Sequence, residues 1–141
     1  MALRTIHYPV PERGSRLARR TAVGVFVAVV SVLLAQAIVD VLSIDVGVTG
    51  SMSPFAAGPL TTATIVAGVG AAIVYATVVT FTARPVRNFV AISVGVFVLM
   101  LAPVFLAPPE GITPAGQGIL VLYHLLVAIP LVIFILGALE V

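Results

Sequence analysis

The sequence predicts an all-α, polytopic membrane protein, a bundle of four transmembrane helices with both termini cytoplasmic. Three observations carry that reading. Of 141 residues, 61% are hydrophobic and 9% charged, with a mean hydropathy of +1.27, and so little polar surface does not cover a globule in water. The apolar residues gather into four runs long enough to cross a hydrocarbon core, which takes about 20 residues of helix. The seven basic residues, all Arg, fall in the N-terminal tail and in the turn TARPVRN, whereas the other two loops hold Asp40, Asp45 and Glu110 and no base. Cytoplasmic flanks retain Arg, so four spans with both ends inside fit the split without exception.

Residues 1–20, MALRTIHYPVPERGSRLARR, form a basic cytoplasmic tail ahead of a transmembrane domain over 21–141. Two prolines and alternating polarity leave the tail no continuous apolar face, so it is expected to lie along the inner headgroups without a stable fold. Its arginines suit anionic lipid rather than nucleic acid. The first span is read over 21–39. Its Ala35-Gln36-Ala37 has the small-residue pattern of a signal-peptidase site, whose use would leave three spans. The apolar run continues through Ile38 and Val39 and is long enough to cross, so it is read as a retained span.

The loop DVLSIDVGVTGSMSPFAAGP, rich in Gly, Ser and Pro, reads as irregular, with Pro59 near the start of a second span over 60–81. The turn 82–88 is so short that spans two and three form an antiparallel hairpin. The third span covers 89–107 and the fourth 117–139, joined by a loop stiffened by Pro108, Pro109 and Pro114. Pro103 and Pro130, inside these spans, each remove a backbone bond and can kink a helix. No internal repeat supports an inverted-repeat transporter.

Polar residues are few, so their spacing matters. Gln36, Asp40 and Ser43 share a face at the end of the first span, and Thr113, Gln117 and His124 share one in the fourth if that helix reaches back so far. At 1.5 Å per residue, His124 stands about 10 Å into its span and Gln36 about 6 Å from the end of its own. An imidazole in hydrocarbon lacks water partners, so His124 should face the bundle interior, with Gln36 or Asp40 as candidate partners. Gln36, Asp40, Gln117 and His124 are therefore the candidate polar or ligand-binding cluster. A His124–Asp40 pair would bind a proton or ligand; a neutral His124 bonded to a backbone group would only hold helices together.

The second span carries Thr61, Thr64, Gly68, Ala72, Tyr75 and Val79 on one stripe, beside a small-residue row of Ala63, Ala67 and Ala71. Gly68, Ala72 and Tyr75 are expected to pack helices closely, with the Tyr75 hydroxyl bonded to a neighbouring helix. Arg13, Arg16, Arg19, Arg20, Arg84 and Arg87 are the expected lipid-headgroup contacts.

Several chemistries lack their residues. The chain has no Cys, which excludes disulfides, thiolate metal sites and cysteine nucleophiles. Haem ligation by paired membrane histidines fails because His7 lies in the tail, and one His with scattered carboxylates is short of a metal ligand set. GSMSPF offers Ser51 and Ser53 without a nucleophile elbow or a base. No P-loop, dinucleotide fingerprint or zinc-protease helix is present. No catalytic residue, metal or cofactor is therefore expected.

Taken together, the Arg-flanked first span, RNFVAISVGVFVLMLAP in the third and YHLLVAIPLVIFILGAL in the fourth resemble a family of small prokaryotic four-helix membrane proteins classed as a domain of unknown function. The resemblance covers Arg20 to Leu139 and implies the topology but no activity. The family pattern places an Asp after a proline in the third span, opposite the histidine of the fourth; here Val104 follows Pro103, leaving Asp40 as a substitute.

The resulting expectation is a non-catalytic binding or accessory subunit of a membrane assembly in the cell membrane, in contact with lipid and with a further copy or another membrane protein. The alternative is a homo-oligomeric transporter or channel with a path lined by Gln36, Asp40, Gln117 and His124, since four spans rarely enclose a path alone. A lipid-modifying enzyme ranks third for want of a nucleophile and base.

Overall fold

A computed structural model of the chain describes residues 14–139. These form four α-helices, α1 (Gly14–Val41), α2 (Ala57–Phe81), α3 (Pro85–Leu106) and α4 (Pro114–Leu136), with no strand among the described residues. All four are long and apolar enough to cross a membrane. Arg4, His7 and Arg13 lie outside the described residues.

The helices start earlier than the apolar runs alone indicate, for identifiable reasons. Pro85 and Pro114 occupy the first positions of α3 and α4, where the missing N–H is no loss and the fixed φ is already helical. Thr113 caps α4, its Oγ1 accepting from Gly116 N–H at 3.0 Å, so the proline read as stiffening a loop opens a helix instead. α1 reaches back into the expected unstructured tail, because Ser15 to Arg20 are tolerable to good helix formers and Leu17 packs against the cluster around Tyr75. That correction concerns residues 14–20 alone.

α1 and α4 both end in the same six-residue device. Ile44 N–H bonds to Val39 O and Ser43 N–H to Asp40 O; Ala138 N–H bonds to Ile133 O and Gly137 N–H to Phe134 O. In each case the pivot has a left-handed backbone, φ 71° at Gly137 and φ 51° at Ser43, the signature of a Schellman cap. Ser43 therefore lies past the end of α1 rather than on its face with Gln36 and Asp40.

α1 packs on α2 and α4, α4 also contacts α2 and α3, α2 contacts α3, and α1 and α3 do not meet. The tight part of the bundle is thus α1, α2 and α4. Arg20, Gly24, Ala28 and Val32, four residues apart, make its buried seam on α1. The absent side chain at Gly68 lets α2 approach, since a Cβ there would stand 2.1 Å from Val25 Cγ2. α3, which contacts α2 and α4, is the least buried helix, with Phe89 near one end and Val104 near the other as its buried residues.

Two apolar clusters close the bundle. At the end carrying the arginines, Tyr75, Val78, Phe89, Ile135 and Leu136 pack together, with the Tyr75 and Phe89 rings edge to face at 5.0 Å between centroids. At the opposite, loop end, Phe55 from the first long loop is buried against Tyr123 at 6.2 Å. That loop is irregular, as its composition indicates, yet firmly pinned: Thr113 Oγ1 donates to Asp45 O at 2.7 Å, Thr113 N–H to Val46 O, and Ser53 Oγ to Val48 O.

Candidate functional site

The polar residues singled out from spacing do not form one cluster. Tyr123 donates its hydroxyl to Gln36 Oε1 at 2.6 Å, and Gln36 Nε2 donates to Asp40 Oδ1 at 2.6 Å. This is a hydrogen-bonded relay from a tyrosine 3% exposed to a carboxylate at the surface. Tyr123 is the member that spacing did not reveal. Its signal was generic, since a tyrosine inside a membrane helix needs a partner for its hydroxyl.

Gln117 and His124 stand apart from this relay. Gln117 Nε2 donates to Val104 O at 3.1 Å, a carbonyl in the last turn of α3 that has no partner within its own helix. Gln117 thus caps α3 from α4. The His124 ring contacts Leu120 O through Nδ1 at 2.6 Å; because a carbonyl only accepts, Nδ1 carries the hydrogen. His124 meets neither Asp40 nor Gln36. α4 starts at Pro114, so the ring lies about 15 Å along the helix rather than 10 Å, close to its middle.

The stripe on α2 divides similarly. Gly68 is buried against Val25 of α1 and Leu131 of α4, and Thr64 and Tyr75 are buried beside it, while Ala72 is half-buried. The expected hydrogen bond of Tyr75 is absent: its hydroxyl is buried with no partner among the described residues, as is the Thr21 hydroxyl. The ring packs on Phe89 among apolar side chains, and the Arg20 charge acts on the hydroxyl without a hydrogen bond between them. Ala63 and Ala67 remain exposed.

Arg16, Arg19, Arg84 and Arg87 are exposed at one end and available to headgroups. Arg20 is a correction, being 5% exposed with its guanidinium against Gly137. It lies on the seam of α1 that faces α4, over the end of a helix whose terminal carbonyls carry partial negative charge.

A cleft of about 650 Å³ lies between the middles of α2, α3 and α4. Ala63, Ala67, Gly70 and Ala71 line it on α2, and Ile92, Val96, Phe97 and Met100 on α3. The α4 wall runs from Leu120 to Val132 and includes Tyr123 and His124. Phe89 and Val74 close the cleft toward the arginine end, and Pro54 and Pro59 stand at its loop end. Small residues on α2 create the gap, and the shallow burial of α3 leaves it open sideways. Among the described residues no group of three or more His, Asp or Glu is placed to hold a metal ion.

Residues 12–140 match a family of unknown function, DUF6069. No curated protein and no solved structure matches the chain.

Proposed function

Because the chain belongs to this family of unknown function, which establishes kinship without an activity, we propose from its own geometry that it works by binding. In this reading it is a non-catalytic accessory subunit of an assembly in the cell membrane, and its working surface is the cleft between α2 and α3. The cleft supports this reading directly: concave, mostly apolar sites with a few polar groups are where membrane and soluble bundles alike take ligands and partners. The polar groups are otherwise engaged, Asp40 with Gln36 and His124 with Leu120. Neither forms a nucleophile with an adjacent base.

The test is the native mass of the protein after gentle extraction, before and after lipid is stripped. The reading expects an added component, a lipid or a second protein, that is lost when Ala67→Phe narrows the cleft. A bare chain whose mass is unchanged by stripping, and whose Ala67→Phe variant behaves like the wild type in cells, rejects it.

A further inference from the structure

The position of the cleft limits what fills it. From Leu60 to Val74, both lining residues, α2 rises about 21 Å at 1.5 Å per residue. Along that length the cleft, about 650 Å³ in volume, is walled almost entirely by apolar side chains and opens between α2 and α3 toward the acyl region, so the membrane component in standing contact with it is a lipid hydrocarbon chain.

The walls also specify one polar contact. His124 lines the cleft with Nδ1–H committed to Leu120 O, so Nε2 of the neutral ring presents a lone pair. Nε2 has no hydrogen bond among the described residues. In hydrocarbon no water is there to satisfy it. Tyr123 and Thr64, which also line the cleft, have already given their hydroxyl hydrogens to Gln36 and to Leu60 O. Ser93, the remaining hydroxyl of the wall, makes no hydrogen bond to His124 either, so what the cleft lacks is a donor at that ring. That ring lies about 6 Å past Leu120 and about 12 Å before Val132 along α4, so a chain anchored there has apolar wall on both sides and a floor at Phe89.

We propose that the cleft is a binding site for a single-chain lipid alcohol, linear or isoprenoid, whose hydroxyl donates to His124 Nε2 while its chain lies between α2 and α3. This rests on the binding function proposed above and names its ligand class. Recognition depends on the donor, because an ether of the same chain fills the same space and leaves the lone pair unmet.

The experiment uses the full chain in phosphatidylcholine nanodiscs and two photoactivatable probes, a diazirine-bearing dodecanol and its methyl ether, with labelled residues located by mass spectrometry. Saturable labelling of the α2 and α3 walls is expected, about five-fold weaker for the ether, the worth of one hydrogen bond of ordinary net strength. In His124→Leu the two probes become equal. Ala67→Phe, or Gly70→Leu, which puts its side chain where a Cβ meets nothing within 4 Å, removes labelling by both. Equal labelling of wild type by alcohol and ether overturns the role of His124, and that comparison needs no variant to fold. Absence of saturable labelling, with a second protein or copy retained in the native mass, overturns the lipid ligand and leaves the accessory function standing; absence of both overturns the two together.

Discussion

Tyr123 and Tyr75 are both nearly or fully buried tyrosines in membrane helices, and they sit in opposite energetic situations. The first donates to Gln36, whereas the second has an oxygen with no partner. Tyr123→Phe is therefore expected to destabilise the protein by about 1 kcal/mol, within the range measured for hydrogen bonds between membrane helices. Tyr75→Phe is expected to stabilise it by a similar amount, since a buried hydroxyl without a bond costs free energy. Thermal unfolding in detergent reads both; the same sign for the two variants contradicts the assignment. The sequence marked Gln36, Asp40, Gln117 and His124 as the polar groups at the loop end, but not their pairing. Adjacent helix positions diverge by about 100°, so the Tyr123 hydroxyl reaches Gln36 of α1 from the edge of the cleft while the His124 ring does not. Spacing within one helix says which residues share a face and not which neighbour that face meets.

Among the elements, α1 and α4 carry the same cap with different pivots. Gly137 takes its left-handed backbone without strain, and a Cβ there would stand 2.4 Å from the Arg20 guanidinium. Gly137→Ala is expected to cost about 1–2 kcal/mol from the backbone alone. Ser43 bears that strain already and is exposed, so Ser43→Gly is expected to stabilise the protein by about 1 kcal/mol. A fall in melting temperature for the first and a rise for the second check the pair. The α1–α2 contact is equally specific: Gly68→Ala forces Val25 aside and is expected to cost about 1–3 kcal/mol through overpacking. An unchanged melting temperature would show that the two helices are free to separate. The four spans were legible from their apolar length, but their ends were not. Glycine is frequent inside membrane helices, so Gly137 gave no stop signal and the fourth span was read to Leu139, three residues past the end of α4.

For the whole molecule, the division of charge predicts both termini inside, and among the described residues the exposed Arg16, Arg19, Arg84 and Arg87 stand at one end of the bundle. Met52, 89% exposed in the loop at the other end, and Ala83, exposed in the turn between α2 and α3, report on opposite faces. The chain has no cysteine of its own, so single substitutions give clean labels. In intact cells a membrane-impermeant maleimide is expected to modify Met52→Cys at once and Ala83→Cys only after permeabilisation; the reverse order inverts the topology. The four-helix architecture needed only composition and length to foresee. The cleft did not follow from either, because Ala63, Ala67 and Ala71 read equally well as a packing row, and only the exposure of Ala63 and Ala67 shows that the described helices leave that part of the row open. That opening faces sideways, into the acyl region of the bilayer rather than toward either aqueous compartment. Supply to such a mouth is a two-dimensional diffusion problem: its degree of filling tracks the mole fraction of ligand among the surrounding lipids. Diluting the vesicles in buffer leaves it unchanged, and diluting the membrane with inert lipid empties it.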